Sequence, residues 1–156
     1  MGLDMYLSAK KYVSGYDHAS EAERSKYLTL LRLFGLNGNW KAESPSAHAE
    51  LTVAYWRKAN QVHAWFVREV QHGSDEGQTA YVERSQLNAL LGVCKAVKAD
   101  PAKAPELLPT QSGFFFGSTD YDEYYMQDID RTIKQLDDVL AHPGFDHCSF
   151  YYHASW

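Results

Sequence analysis

At 156 residues the chain has the usual length of one domain, and its 45% hydrophobic residues suffice for the core of a single domain over residues 1–156. The formal net charge of -5 argues against non-specific nucleic-acid binding, because the neutralisation of phosphates requires a basic face. Aromatic residues are unusually frequent at 14%, and eleven of them are Tyr, which joins an apolar ring to a polar hydroxyl.

The N-terminal region predicts a strand followed by a helix. Apolar and polar residues alternate over 3–8, which is typical of a strand, and Asp4 and Tyr6 fall on the face opposite the apolar residues. A Ser-Glu-Ala-Glu capping box begins the first helix at Ser20, and glycines up to Gly38 end it.

The middle of the chain predicts two further strands and two helices. Residues 49–54 favour a second strand, and the broad apolar arc over 55–72 favours a helix that follows it directly. A brief third strand at 81–82 leads to a helix that is capped by Ser85 and has a clean apolar face. Three prolines over 99–111 predict a loop or an extended arm.

The C-terminal region predicts a long helix and a last strand. Thr119 or Asp120 caps the helix, and residues 148–152 form the strand. The apolar residues of the helix recur at a near-constant spacing, as Tyr125, Ile129, Ile133, Leu136 and Leu140. Together the elements indicate an α+β fold, with a small, mostly antiparallel sheet of about four strands covered by about four helices.

Several classes of protein are disfavoured by what the sequence lacks. It has neither a signal-peptide pattern nor an apolar run of membrane-spanning length, which predicts a cytoplasmic protein without membrane contacts. Cys94 and Cys148 are expected to be free thiols rather than a disulfide. The histidines around His48 and His147 do not match the ligand spacing of zinc motifs, so we expect no metal and no cofactor.

The strongest candidate site is the Tyr-Trp-Arg-Lys motif at 55–58, at the start of the predicted helix. Free backbone amides and the helix dipole favour an anion there, and Arg57 and Lys58 would add donors for phosphate or carboxylate. Trp56 could stack on a base, and it shares one side of the predicted helix with His63. The alternative is that Trp56 lies in the core, the cations are solvated and His63 is hydrogen-bonded and inert.

The second candidate is the loop Ser112–Ser118, in which two glycines flank three Phe residues. Glycine allows positive φ or a close approach to a ligand, so Ser112, Phe115 and Ser118 are candidate contacts. The loop leads into a helix, as phosphate-binding turns do, but it has neither a Walker lysine nor the Rossmann spacing. Its alternative role is an aromatic plug, with at least one Phe in the core, and the two roles are compatible.

Four motifs resemble those of a family of small uncharacterised bacteriophage and bacterial proteins. They are the N-terminal Gly-Leu-Asp-Met-Tyr that follows Met1, the Tyr-Trp-Arg-Lys motif with His63-Ala64-Trp65, the Leu-Pro-Thr-Gln-Ser-Gly-Phe-Phe-Phe-Gly stretch at 108–117, and an aromatic end with Ser155-Trp156. The resemblance covers essentially the whole chain. It implies an accessory protein in the host cytoplasm that sequesters a signalling molecule, for example a host defence signal, or blocks a host protein.

Three functions therefore stay open, and the first is favoured. The protein binds a small anionic, nucleotide-like ligand without turnover, it blocks a host protein through exposed Tyr and Trp anchors, or it is a small hydrolase or transferase that uses His63 with Asp4 or Asp120. Pairing at an open C-terminal strand edge would allow a homo-oligomer. The predicted ligand-binding residues are Asp4, Tyr6, Trp56, Arg57, Lys58, His63, Ser112, Phe115, Ser118 and Trp156. The site hypothesis depends on Arg57, His63 and the loop 114–116 meeting around one cavity, which the sequence alone does not decide.

Overall fold

The computed structural model describes residues 2–37, Trp40 and 42–156. Met1, which precedes the first family motif, and the predicted helix end at Gly38 lie outside these residues. Within them, a four-stranded antiparallel sheet and five α-helices confirm the predicted α+β fold class. None of the helices in this part of the chain is long and apolar enough to cross a membrane.

The elements follow the predicted order, with one additional short helix. The strands are β1 (Asp4–Ser14), β2 (Ser46–Arg57), β3 (Ala80–Val82) and β4 (Ser149–Ser155). The helices are α1 (Glu21–Leu33), α2 (Asn60–Glu69), α3 (Arg84–Ala99), α4 (Ala104–Leu107) and α5 (Glu123–Ala141). The strands lie in the order β2-β1-β4-β3, and β3 pairs antiparallel with β4 so that Tyr81 lies opposite Tyr151. The first and last strands of the chain are therefore neighbours.

The described chain divides into two compact units, of which the larger comprises Met1–Ala9 and Thr52–Trp156. Its core contains one face of β1, because alternate residues of a strand point to the same side, and Leu3, Met5 and Leu7 are fully buried there. The predicted apolar face of α3 is also buried and packs against α5. The core residues of α3 are Leu87, Leu90, Leu91, Cys94 and Val97.

The smaller unit, Lys10–Leu51, contains α1 and a small apolar cluster. The predicted N-cap is confirmed, since Ser20 Oγ accepts a hydrogen bond of 3.2 Å from the backbone N–H of Glu23. Tyr27 and Leu31 of α1 are buried in this cluster. The expectation of one domain over residues 1–156 stays a prediction.

The predicted helix over 55–72 is wrong at its beginning. The strand β2 continues through Arg57, and α2 begins only at Asn60. In β2 the side chains of Ala54 and Trp56 are buried while those of Tyr55 and Arg57 are exposed, which is the alternation of a strand. Strand pairing, which continues to Lys58 through its N–H bond to the carbonyl of Leu3 (2.7 Å), outweighs the local helical pattern.

Two further boundaries differ from the sequence prediction. The segment 99–111 is not a plain loop, because a 3-10 turn at Pro101–Lys103 leads into α4. A proline lies in the first turn of each of these helices, where its missing N–H has no helical partner to lose. The last helix is capped by Asp122 rather than by Thr119 or Asp120, since Asp122 accepts hydrogen bonds from two amides of the first turn.

The cap of α3 also lies two residues before the predicted one. Glu83 is the N-cap, and it forms a reciprocal capping box with Gln86, which leaves Ser85 inside the first turn. Both cysteines are free, as expected from the sequence, with Cys94 in the core and Cys148 half-buried. Burial raises the pKa of the Cys94 thiol to about 12, which keeps this side chain protonated and unreactive.

Candidate functional site

A pocket of about 440 Å³ lies in the larger unit, a volume within the range of small-molecule sites. It is formed by the end of β2, the start of α2, the segment that precedes α5 and the first half of α5. Its lining residues are Arg57, Lys58, Gln61, Gly117, Ser118, Asp120, Asp122, Tyr124, Tyr125, Gln127, Asp128 and Arg131. The two sequence candidates, the cationic motif and the glycine-flanked loop, thus contribute to the same pocket.

Three cations of this pocket, Arg57, Lys58 and Arg131, have neither an ion pair nor a side-chain hydrogen bond within the described chain. Every other Lys or Arg of the larger unit has a carboxylate partner at 2.6 to 3.6 Å, namely Arg68, Arg84, Lys95, Lys98, Lys103 and Lys134. Within the described residues of the larger unit, the cations without an ion pair therefore all line this pocket. Their charge is available to a ligand.

The carboxylates of the pocket each accept a hydrogen bond from a nearby group of the protein. Asp120 accepts from the hydroxyl of Ser118 at 3.0 Å, and Asp122 accepts from the first amides of α5. Asp128 accepts from the side-chain amide of Gln61 at 3.4 Å. These carboxylates support the walls of the pocket and form no ion pair with its described cations, although the charge of Arg131 acts on Asp128.

Asp128 is half-buried, and burial raises the pKa of its carboxyl. The hydrogen bond from Gln61 and the charge of Arg131 act in the opposite direction, while Asp122 adds a smaller upward effect. A carboxyl with a raised pKa inside a polar cleft is a feature of functional sites.

Lys58 has an unusual backbone conformation, with φ at +59° in the left-handed region. Two backbone hydrogen bonds hold it there. The N–H of Lys58 donates to the carbonyl of Leu3 (2.7 Å), and the carbonyl of Lys58 accepts from the N–H of Asn60 (2.9 Å). A non-glycine residue in this region costs about 1 kcal/mol or more. Gly117 packs against it so closely that an added Cβ would lie 3.1 Å from Lys58 Cβ and 3.3 Å from its carbonyl oxygen.

Asn60 fixes the glycine-flanked loop relative to α2. Its side chain, 1% exposed, donates to the carbonyls of Phe116 (3.1 Å) and Ser118 (2.8 Å) and accepts from the N–H of Gln111 (2.9 Å). Phe116 is buried in the core, as the aromatic-plug interpretation requires, whereas Phe114 is 94% exposed. The loop is therefore anchored at both ends, and its last residues reach the pocket.

His63 lies outside the pocket and is fully buried. Its Nδ1 is 2.7 Å from the hydroxyl of Tyr152 and its Nε2 is 3.0 Å from Asp75 Oδ2, so both ring nitrogens are engaged. Burial raises the pKa of Tyr152 well above its usual value, so Tyr152 stays a neutral partner. The ring of Phe116 packs edge-on against His63 at 5.1 Å. Arg57 and the end of the loop share one pocket, but His63 does not join them.

Three other predicted contacts, Asp4, Tyr6 and Trp56, are placed away from the pocket lining. Asp4 accepts a hydrogen bond from the hydroxyl of Tyr55, which raises the pKa of that tyrosine, and Tyr6 packs against the same ring at 5.3 Å. Trp56 is fully buried, and its indole Nε1 donates to Thr132 at 2.8 Å.

Ser112, Phe115 and Trp156 also do not line it. Ser112 is exposed, and Phe115 contributes its carbonyl to a hydrogen bond of 3.2 Å from the N–H of Leu3. Trp156 packs against His63 and Phe116, with ring distances of 5.6 and 6.1 Å. Of the ten predicted residues, only Arg57, Lys58 and Ser118 line the pocket.

Sequence reasoning missed the contribution of α5. Tyr124, Gln127, Asp128 and Arg131 follow the spacing i, i+3, i+4, i+7, which places them on one face of a helix. This polar stripe runs beside the buried stripe of α5 and is visible in the sequence once the helix is recognised. With Gln61 it supplies most of the side chains opposite Arg57 and Lys58.

The arrangement can hold an anion beside groups that form hydrogen bonds. Within the described residues, no group of three or more His, Cys, Asp or Glu side chains could hold a metal ion. Comparisons of the chain with protein-family models, with curated proteins and with solved structures found no match.

Proposed function

We propose that this protein binds a small anionic ligand in the α5 pocket, the pocket lined by Arg57, Lys58 and Arg131, and that it does so without chemical turnover. The observation that supports this most directly is the clustering of the unpaired cations of the larger unit around one pocket. Arg57, Lys58 and Arg131 are exposed to solvent, so their charged groups are accessible to an external anion, which can accept charge-assisted hydrogen bonds from them.

The chemistry of the three cations favours phosphate over a single carboxylate. Two guanidinium groups offer planar sets of donors, and Lys58 adds a compact charge. A phosphate group carries up to two charges and three acceptor oxygens, so it can use all three cations at once. The strained backbone of Lys58 is consistent with this role, because strain of this kind persists where the surrounding structure or function requires it.

Binding without turnover is favoured over hydrolysis by the position of His63. Its two ring nitrogens are occupied by Tyr152 and Asp75, and the ring is fully buried. Among the described residues that line the pocket there is no histidine and no cysteine, the side chains that most often act as base or nucleophile near neutral pH.

The family resemblance extends this proposal to a biological role. A protein that binds a small anion and does not convert it acts by sequestration, and the resemblance to bacteriophage proteins suggests a host defence signal as the sequestered molecule. In that setting the protein acts in the cytoplasm of the host cell. The purified protein should then release an intact ligand on denaturation, and a chemically altered product would contradict sequestration.

The test is ligand-dependent stabilisation of the wild type and of variants of the pocket cations. Phosphate, pyrophosphate and a panel of nucleotides are screened by thermal unfolding, and the Kd of those that bind is measured by calorimetry. A ligand at 100 times its Kd adds about 2.7 kcal/mol to the free energy of unfolding, which raises Tm by roughly 5 to 10 °C. Arg57→Gln and Arg131→Gln should each weaken binding at least about tenfold, the effect of one charge-assisted hydrogen bond.

The matched control is Arg68→Gln, which removes an exposed arginine that pairs with Glu69 outside the pocket. It should leave the Kd unchanged. Binding that is equally strong in Arg57→Gln and in wild type would rule out the pocket, and an absence of any stabilising anion would rule out the function.

A protein-blocking function is the second candidate, and one observation favours it. Phe114 is 94% exposed in an anchored loop, and its ring packs edge-on against Phe115 at 4.7 Å, which leaves most of its apolar surface in solvent. Aromatic side chains in such positions are common anchors of interfaces. A host protein whose capture is lost with Phe114→Ala and kept with Arg57→Gln would favour this function over anion binding.

A further inference from the structure

The α5 pocket contains more than its cations, and the remaining groups restrict which anions fit. The carboxylates of Asp120, Asp122 and Asp128 line the same pocket as Arg57, Lys58 and Arg131. A simple anion in this pocket would contact the cations but would give the acids no hydrogen-bond donor. A ligand that carries hydrogen-bond donors beside its charge would satisfy both sets of groups.

Asp128 is the acid best suited to accept a hydrogen bond from a ligand. Its Oδ2 accepts from Gln61 at 3.4 Å, while its Oδ1 has no hydrogen-bond partner among the described residues and is not enclosed by protein. Asp120 and Asp122 already hold the loop and the first turn of α5. The open oxygen of Asp128 is therefore a free acceptor inside the pocket, four positions from Tyr124 and three from Arg131 on the same helix face.

The polar stripe of α5 presents different chemistry along its length. Tyr124, at its N-terminal end, is an exposed ring in the pocket lining, and Asp128 and Arg131 follow one and two turns later. Carboxylates hydrogen-bond sugar hydroxyls in many nucleotide sites, and aromatic rings stack on the faces of bases and sugars. Along the helix the pocket therefore meets the ring of Tyr124, then the carboxylate of Asp128, which can accept hydrogen bonds from hydroxyl groups, and then the cation of Arg131.

We infer that the α5 pocket takes a phosphate monoester carried on a polyhydroxylated ring, the chemistry shared by sugar phosphates and the ribose phosphate of nucleotides. The phosphate contacts the cations, and neighbouring hydroxyls donate to Asp128. This inference rests on the proposed anion binding, which it narrows from anions in general to one class.

The experiment compares ligands that separate the two contributions, with the full chain in calorimetry. Inorganic phosphate tests the cations alone, ribose 5-phosphate adds the hydroxyls, 2-deoxyribose 5-phosphate removes one of them, and ribose tests the hydroxyls without the charge. Wild type should bind ribose 5-phosphate at least about tenfold more tightly than phosphate, the effect of one hydrogen bond to a charged group. Ribose should give no measurable heat. The Kd of 2-deoxyribose 5-phosphate should lie between those of phosphate and ribose 5-phosphate.

The variant Asp128→Asn keeps the size of the side chain and removes its charge. It should reduce the preference for ribose 5-phosphate over phosphate to within about threefold, because the charge-assisted hydrogen bond is lost. Asp130→Asn is the matched control, since Asp130 lies on the same helix, pairs with Lys98 and does not line the pocket. The control should retain the full preference.

The outcomes separate this inference from the anion-binding proposal. Equal Kd values for phosphate and ribose 5-phosphate in wild type would overturn the inference, and so would a preference for ribose 5-phosphate that survives in Asp128→Asn. Either result is compatible with the anion-binding proposal as long as phosphate binding depends on Arg57. If neither ligand bound, the anion-binding proposal itself would fail for phosphates. The comparison of phosphate with ribose 5-phosphate uses the wild type alone, so it decides the question even if the Asp128 variant does not fold.

Discussion

Lys58 combines a charge in the lining of the α5 pocket with a backbone conformation that most residues avoid. Its φ of +59° is enforced by two backbone hydrogen bonds, and its side chain lines the α5 pocket. Asparagine or glycine would adopt this conformation at lower cost. A lysine here is therefore explained better by the charge that it supplies than by the turn that it forms.

Replacing Lys58 by Gly should separate stability from binding. The variant relieves left-handed strain of about 1 kcal/mol but gains about 0.5 to 1 kcal/mol of unfolded-state freedom, so its free energy of unfolding should stay equal or rise slightly. Its affinity for phosphate should fall at least about tenfold with the loss of the charge. Ala89→Gly, at an exposed position inside α3, is the control and should lose about 1 kcal/mol. Urea unfolding measures the free energy of unfolding of both variants. An equal loss of this free energy in the two variants would mean that Lys58 is not strained.

The sequence identified Arg57 and Lys58 from their charge and position, but it did not place their neighbours. Trp56 and His63 were expected beside them because residues seven apart share a helix face. In the structure residue 56 belongs to a strand, whose alternation sends Trp56 into the core while Arg57 faces outward. Because the predicted helix begins a few residues too early, the sequence analysis places Trp56 and His63 on one face, whereas the strand buries Trp56 and exposes Arg57.

At the scale of elements, the α5 pocket depends on how the glycine-flanked loop meets the end of β2. Asn60 holds the loop from α2, and Gly117, with φ at +89°, lies against the backbone of Lys58. The glycine is needed for both its conformation and its lack of a Cβ. A side chain at this position would press on a lysine that is already fixed by hydrogen bonds.

Gly117→Ala should therefore destabilise the protein more than the same change at Gly73. Both glycines have positive φ, so both variants lose about 1 kcal/mol from backbone strain. An added Cβ at Gly73 meets no atom within 4 Å, whereas at Gly117 it meets Lys58 at 3.1 Å. Thermal unfolding should rank Gly117→Ala as the less stable variant, and only this variant should also weaken phosphate binding. Equal losses of stability would mean that the contact with Lys58 is relaxed at little cost.

The strands and helices themselves were largely predictable, because their signals are local. The alternation of apolar and polar residues predicts β1, and the capping box at Ser20 predicts the start of α1, because each pattern depends on residues close in sequence. The short helix α4 is not predicted from the sequence because three prolines over 99–111 indicate a loop, although a proline in the first turn, such as Pro105, is compatible with a helix. The α5 side of the pocket was missed for another reason. Its polar stripe acquires a role only when the fold brings it opposite Arg57, which is tertiary information.

At the scale of the whole molecule, the net charge of -5 does not conflict with an anion site. Several acids of the larger unit are paired with lysines or arginines, as in Lys95 with Asp137 and Lys98 with Asp130. Others cap helices or hold loops, as Asp122 does. In the described part of the larger unit, the cations without an ion pair line the α5 pocket, so a local group of positive charges coexists with a negative total charge.

Asp128 links this pocket to the stability of the whole protein through pH. Burial raises the pKa of its carboxyl above the usual 3.8, so the folded protein holds this proton more tightly than the unfolded chain does. As pH rises from 3.8 through the raised folded value, the unfolded chain ionises first and Asp128 costs the folded state stability. The cost is absent below that window and complete above it.

Asp128→Asn cannot ionise, so its Tm should exceed that of wild type at pH 7, and the difference should shrink as the pH falls through the window. Asp130→Asn, at an exposed ion pair, should show no such gain. A difference that stays constant with pH would mean that burial does not raise the pKa of Asp128. If the gain is observed together with the loss of sugar selectivity, Asp128 is an acid that the protein keeps at a cost to its stability because the ligand requires it.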